Sequence, residues 1–231
     1  MTASVRRAVR LEHRLTRAAA SLADLDAAAA LASRHDLAAL TVNPWLVKAA
    51  RRALGQTRVT IGTVIAFPNG TALPNVKAFE ASAALDGGAT QIDFVLNAGA
   101  LLSDDDAAAF ADMVGVIDMA HSALAAAGVI VEPTPMSDDL VRRACRLAER
   151  AGADYVVTGT GRGNARATVA RTRLLRDSVG PRIGVKASGR FRTTLDLDDA
   201  VEAGATRVST ELTDALAALA TDAAAPVGAA Q

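Results

Sequence analysis

Cysteine is almost absent from this sequence. The single thiol, Cys145 in Arg142-Arg-Ala-Cys-Arg146, excludes an intrachain disulfide and a cysteine-built zinc site, and its helical setting predicts a small packing residue. Histidine is nearly as scarce. His13, His35 and His121 show no HxH or HExxH spacing, so neither a metal nor another cofactor is expected, and His35 and His121 fall in helical patterns expected at the surface. Lysine is the third scarcity: of 25 basic residues only Lys48, Lys77 and Lys186 are lysines. Arginine cannot replace lysine as an amine nucleophile because its pKa stays above ~12, so lysine chemistry has three candidates. There is no run of ~18 uncharged apolar residues, so no transmembrane helix is expected. The Ala-rich start is interrupted by Arg6, Arg7, Arg10, Glu12, Arg14 and Arg17, which is unlike a secretory leader. Basic and acidic residues balance at 25 each, so neither nucleic acid nor an anionic membrane is the expected partner. The expectation is a soluble cytoplasmic protein.

What is present is alanine, 54 residues of it, within a chain that is 51% hydrophobic and 22% charged, as globular proteins are. Short β-branched runs alternate with longer amphipathic ones. Residues 38–42, 59–65, 92–96, 129–131, 155–157, 183–185 and 207–210 read as strands buried on both faces, with 9–15 a weaker first strand. Helical patterns occupy 24–34, 46–54, 76–85, 104–127, 138–151, 165–177, 195–203 and 212–220. Repeated strand–helix alternation implies a parallel sheet with helices outside, and eight units in 231 residues predict one (β/α)8 TIM barrel. It is expected over residues 1–220, with 221–231 a frayed tail. Asp86-Gly-Gly, Ala151-Gly and Ala203-Gly each end a helix just before a strand, as left-handed C-caps do.

In such barrels chemistry sits at the C-terminal ends of the strands. The polar residues there are Asn43 after strand 2, Asp93 and Asn97 on strand 4, Glu132 after strand 5, and Thr158 and Thr160 after strand 6. Lys186 and Ser188 follow strand 7, and Thr210 and Glu211 follow strand 8. Asp93 interrupts the apolar run Ile92-Asp-Phe-Val-Leu96, and a carboxylate there requires a partner. It is either a core ion pair or an acid/base group facing a buried cation. Lys186 is the natural cation; it is either that partner or, once desolvated, an amine able to form a Schiff base. Lys48 and Lys77 lie in helical patterns and are expected in solvent. His13, at the end of strand 1, is a possible active-site contact. The Gly-rich stretch Thr158–Gly163 lacks both dinucleotide and P-loop fingerprints, although its N–H groups suit an anion.

In chain order, Thr63-Val-Ile-Ala-Phe-Pro-Asn-Gly70, Val76-Lys-Ala-Phe-Glu-Ala81, Gln91-Ile-Asp-Phe-Val-Leu-Asn-Ala-Gly-Ala-Leu101, Ala151-Gly-Ala-Asp-Tyr-Val156 and Val185-Lys-Ala-Ser-Gly189 resemble the deoxyribose-phosphate aldolase family. Glu12-His13 is similar to that family's Asp-His on strand 1, and Val42-Asn-Pro44 to its strand 2 end. The resemblance spans residues 9 to 215. It implies a class I aldolase on a (β/α)8 barrel that joins acetaldehyde to glyceraldehyde 3-phosphate through a lysine Schiff base, without metal.

The departures cluster at the site. The family's Schiff-base lysine, in Val-Lys-Thr-Ser-Thr-Gly, matches Val157 in Val156-Val157-Thr158-Gly159-Thr160-Gly161. Its second lysine matches Lys186 and its acid/base aspartate matches Asp93. At the phosphate end, Lys-Ala-Ser-Gly-Gly becomes Lys186-Ala-Ser188-Gly189-Arg190, and Gly-Thr-Ser-Ser becomes Ser209-Thr210-Glu211-Leu212. Glu211 would repel phosphate unless Arg162, Arg190 or Arg192 intervenes. Glu12 replaces aspartate, and Gly128 stands where a lysine opens strand 5. The resemblance therefore implies a divergent enzyme on a small carbonyl substrate. Lys186 and Asp93 would be catalytic, and Glu12, His13, Asn43, Asn97, Glu132, Thr158, Thr160, Ser188, Gly189, Arg190, Thr210 and Glu211 would surround the substrate. Turnover of 2-deoxyribose 5-phosphate is expected to be weak or absent. The alternatives are a non-catalytic binding protein and an ordinary aldolase with Lys186 as relocated nucleophile. A homodimer is the expected assembly.

Overall fold

The structure, a computed structural model, describes residues 11–132, 136–161 and 165–222. Eight strands close into a barrel in which each is parallel to the next and β8 pairs with β1. They are β1 (Leu11–Leu15), β2 (Ala39–Val42), β3 (Thr60–Ile65), β4 (Gln91–Val95), β5 (Ala126–Ile130), β6 (Tyr155–Val157), β7 (Gly184–Ser188) and β8 (Arg207–Thr210). Around them lie α1 (Leu22–Arg34), α2 (Val47–Leu54), α3 (Pro74–Asp86), α4 (Ala98–Leu102), α5 (Asp106–Ser122), α6 (Asp138–Arg150), α7 (Ala165–Ser178), α8 (Thr194–Glu202) and α9 (Asp214–Asp222), with a 3-10 turn at Pro44–Leu46. This is the expected single (β/α)8 barrel. Val9 and Arg162 lie outside the described residues, as do the expected tail positions from 223 onward.

Local chemistry sets the helix limits. Ser21 and Thr193 each make a capping box with the aspartate three residues on, and Asp105 and Ser137 cap α5 and α6. Three helices close on glycines at positive φ: Gly88 at 104°, Gly152 at 88° and Gly204 at 102°. After each glycine the next N–H reaches back to the helix, as Ala153 does to the Ala148 carbonyl, and a strand begins at once.

Four expectations need correction. The helical pattern over 104–127 ends early, because Leu124 takes φ 57° and the Ala125 N–H closes onto the Ala120 carbonyl. The following alanines then pair with β4, Ile92 beside Ala127, so tertiary pairing overrides their helix propensity. Strand β7 runs on to Ser188 and β8 ends on Thr210, so Lys186, Ser188 and Thr210 lie within strands and not beyond them. Asn97 lies past β4, where its side chain accepts from the N–H groups of Gly99 and Ala100 to cap α4. Lys77, expected in solvent, is fully buried between α3 and α5. Its Nζ lies 2.7 Å from Asp112 Oδ2 and donates to the Val95 carbonyl at 2.8 Å. One charge in each helix makes a buried pair that the helical pattern of either alone does not reveal.

Most apolar side chains fill the layer between barrel and helices, among them Leu11, Leu40, Ile92, Phe94, Val129 and Val185. A second, smaller cluster lies inside the barrel and comprises Val95, Ile130, Tyr155 and Val157, with Phe67 against it. Cys145 is buried in α6 and its thiol is pushed up to about 12, chiefly by burial, so it stays protonated and packs.

Candidate active site

Side chains alternate along a strand, so every second residue points into the barrel. On β1 these are Glu12 and Arg14. On β4 they are Gln91, Asp93 and Val95, on β6 Tyr155 and Val157, and on β7 Lys186 and Ser188. They build three tiers: a buried polar cluster, an apolar ring and a basic mouth.

The polar cluster centres on Lys186. Its Nζ lies 2.8 Å from Asp93 Oδ2, 3.1 Å from Asp93 Oδ1 and 2.9 Å from Glu12 Oε2. The Tyr155 hydroxyl donates to Asp93 Oδ1 at 2.7 Å, and the Tyr155 ring centre lies 4.4 Å from Lys186 Nζ. Gln91 Nε2 donates to Glu12 at 3.4 Å, and Arg207 Nη1 does so at 3.4 Å from the rim of β8. Glu12, Asp93 and Lys186 are all buried. Burial holds the Asp93 carboxyl above the ordinary range; Lys186 opposes that rise and Glu12 adds to it. Burial likewise raises the Tyr155 hydroxyl well above its usual value, so it remains a donor.

Gly128 makes room for this arrangement. A Cβ there would fall 2.0 Å from Tyr155 Cε2, so Tyr155 fills the space a side chain on β5 would need. Above the cluster, Val157 lies between Ile130 and Lys186 in register and is buried. The position the resemblance gives to a Schiff-base lysine is thus part of the apolar ring.

The mouth is a cavity of about 530 Å³ whose lining includes Arg14, Arg17, Arg190, Arg192, Phe67, Phe191, Thr160, Thr210 and Glu211. Arg14 reaches across from β1, donating from Nη1 to Ser188 Oγ at 2.9 Å and from Nη2 to the Gly161 carbonyl at 3.1 Å. Gly161, at φ 82°, is the glycine that admits this guanidinium, since a Cβ there would lie 1.8 Å from Arg14 Nη1. Burial and then Arg190 lower the Arg14 pKa, with Glu211 opposing. Glu211 is exposed and lies 3.8 Å from Arg17 Nε.

Of the residues singled out from sequence, Lys186, Asp93 and Glu12 come together in the cluster. Ser188, Thr160, Thr210, Glu211 and Arg190 gather at the mouth. The others do not converge there. His13 points to the outer face of β1, where its Nδ1 accepts from the Leu212 N–H at 3.0 Å. It is held down to about 4, first by burial and then by Arg14, so it is a neutral tether for the segment after β8. Asn43 donates to the Arg17 carbonyl and Asn97 caps α4. Thr158 bridges β6 and β7 by exchanging hydrogen bonds with the Ser188 backbone. Glu132 accepts from the Thr160 N–H, and Gly189 gives room to Thr168. Missed from sequence were Arg14, Tyr155, Gln91 and Arg207. Arg14 had a signal in its place two residues after Glu12, on the same strand face.

The model of the DeoC/LacD family of aldolases matches residues 9–217. The chain belongs to this family. It is 40% identical over 200 residues to the deoxyribose-phosphate aldolase of Streptococcus pneumoniae serotype 19F, covering 87% of this chain and 90% of that one. It is 44% identical over 177 residues to the Bacillus subtilis enzyme of the same name, covering 77% and 79%. Among solved structures, the aldolase QR15 superposes with TM-score 0.84 at 29% identity, covering 94% and 95%. The tetrameric deoxyribose phosphate aldolase of Aeropyrum pernix does so with TM-score 0.79 at 28% identity, covering 94% and 91%. Among the described residues, no helix is long and apolar enough to cross a membrane.

Proposed function

We propose that this DeoC/LacD-family chain carries out aldol-type chemistry on a small carbonyl compound bearing an anionic group, with Lys186 as the amine and Asp93 as its proton partner. The observation that carries this reading is the Lys186–Asp93 contact of 2.8 Å inside the barrel, below an arginine-lined mouth. An amine must be neutral to attack a carbonyl. Burial favours the neutral carboxylic acid at Asp93, so the pair can exist as free amine and acid once the Lys186 proton has moved to Asp93. Lys186 stands two residues below Ser188 on the same strand face, roughly 7 Å from the mouth at the rise of a strand. A turn of its side chain away from the carboxylates brings the amine toward the cavity. The nitrogen then adds to the carbonyl carbon, water leaves, and the resulting iminium accepts the electrons of the cleaved carbon–carbon bond, while Asp93 manages the accompanying protons.

A second reading, binding without covalent chemistry, is favoured by one observation: both carboxylates already hold Lys186 Nζ, and Val157 adds a dry wall beside it. Borohydride reduction in the presence of 2-deoxyribose 5-phosphate and a panel of small aldehydes and ketones separates the two. The first reading expects a reduced adduct mapped by mass spectrometry to Lys186. No adduct with any carbonyl, in a folded protein, would overturn it in favour of the second. Within the first reading 2-deoxyribose 5-phosphate is a poor substrate, because Arg190 and Glu211 depart from the family's motifs at the end of the pocket that would take its phosphate. A homodimer in cytoplasm is the proposed setting, and light scattering at micromolar concentration tests the assembly.

A further inference from the structure

Arg14 is a mostly buried cation whose hydrogen-bond partners among the described residues are neutral. Its guanidinium meets the Ser188 hydroxyl and the Gly161 carbonyl, and among the described residues no carboxylate stands within ion-pair distance of it. Glu211, the one carboxylate lining the same cavity among the described residues, acts on Arg14 only at a distance: it stays at the exposed rim and is 3.8 Å from Arg17. A desolvated guanidinium without an anion is unfavourable, and its planar fork carries further donors suited to a carboxylate or phosphate. Two more arginines, Arg190 and Arg192, line the outer part of the same cavity. The mouth therefore presents two cationic zones. The deep one is Arg14, fixed by Ser188 on β7 and by Gly161 in the loop after the neighbouring β6; the outer one is formed by the arginines that follow β7.

We infer that Arg14 is a specificity-determining residue, and that the mouth takes a small molecule with two anionic groups: one seated on Arg14, the other on Arg190 and Arg192. This deepens the proposed function and rests on its assignment of the mouth as the substrate site. A cavity of about 530 Å³ lies within the ordinary range for small metabolites, ~300–1,000 Å³. A molecule with a single phosphate would satisfy the outer zone and leave Arg14 without its anion. A hydroxyl chain in its place would also face a charged fork. The deep group can be a carboxylate or a second phosphate, since both offer the paired oxygens that a guanidinium accepts.

The test compares ligands with one carbon skeleton by titration calorimetry on the full chain at low salt. 3-Phosphoglycerate carries a carboxylate and a phosphate, glycerol 3-phosphate only the phosphate, and glycerate only the carboxylate; glycerate 2,3-bisphosphate adds the second phosphate. The expected result is that a ligand with two anionic groups binds at least about tenfold more tightly than either ligand with one such group. Arg14→Met should erase that preference while Arg14→Lys keeps part of it, and Arg190→Met should weaken the phosphate-bearing ligands together. The relative affinities of 3-phosphoglycerate and the bisphosphate identify the deep group. Equal affinity for ligands with one and with two anionic groups, no binding of any, or a preference that survives Arg14→Met would overturn the inference. Arg14→Lys keeps it testable if Arg14→Met fails to fold. Borohydride trapping at Lys186 is read separately. A two-anion preference without an adduct sinks only the Schiff-base reading, and an adduct without the preference sinks only this inference.

Discussion

Lys77 lies between the helix layer and the barrel wall, Lys186 inside the barrel, and both are fully buried beside an aspartate. Around Lys77 the charges match one to one. Its amine holds Asp112 and the Val95 carbonyl, and Asp112 in turn accepts from the Asn97 N–H, so the pair fastens the end of β4. Around Lys186 two carboxylates share one amine; Glu12 also meets the Arg207 guanidinium at 3.4 Å, and Tyr155 and Gln91 supply neutral donors. The first arrangement is a fastening in which burial pushes both groups toward neutrality and each partner alone holds the other charged. The second sets several groups against one carboxyl: burial and Glu12 favour neutral Asp93, while Lys186 and Tyr155 favour its charge. Burial alone does not separate Lys77 from Lys186, the lysine proposed as the amine; the number and identity of the partners do.

The largest effects come from taking the cation away. Lys77→Met and Lys186→Met should each cost about 3–5 kcal/mol in urea unfolding, since each strands a buried carboxylate. The double variants sharpen the contrast. Lys77→Met with Asp112→Leu should regain most of the loss, whereas Lys186→Met with Asp93→Leu should regain less, because Glu12 remains inside with the longer, partly exposed Arg207 contact as its remaining ion pair. Equal recovery on the two sides would show that Lys186 is only another one-to-one pair. In a protein that forms the adduct, Asp93→Asn should slow turnover by ~10²–10⁴-fold, the usual contribution of a placed proton-transfer group.

His13 tests the two faces of β1, since its neighbour Glu12 faces the cluster. Its folded value of about 4 lies below the ordinary 6.5, so the native state binds fewer protons than the unfolded chain between those values. The stabilisation is complete above pH 6.5 and is lost as pH falls toward 4, to the extent of about 3 kcal/mol. In His13→Gln the drop in unfolding free energy between pH 7 and pH 4 should shrink by that amount. An unchanged drop would place the titration elsewhere.

Tyr155→Phe probes the donor that only the inner cluster has. Loss of a hydrogen bond to a charged group should cost about 1.5–3 kcal/mol near pH 7. The Tyr155 hydroxyl favours ionised Asp93, so its removal should move that carboxyl further upward. A raised carboxyl pKa favours the protonated native state. That contribution is complete below about pH 3.9 and is lost as pH rises through the folded value, so the deficit of Tyr155→Phe should narrow in acid. A deficit independent of pH would make Tyr155 a packing residue only.

The sequence alone carried the barrel, because alternation of β-branched runs with amphipathic ones, and glycines at the helix ends, are local properties. It also marked Asp93 and Lys186, since a charge inside an apolar strand stands out, and Val157, because the motif around it is contiguous. The fastening of Lys77 to Asp112, the seat of Tyr155 over Gly128 and the reach of Arg14 to Ser188 and Gly161 were decided only by the tertiary structure. Each joins residues far apart in the chain: the first two depend on neighbouring helices and strands packing side by side, and the third on barrel closure, which sets β1 beside β8. A local pattern fixes which way a side chain points from its strand; what it meets there depends on strands that come later in the chain.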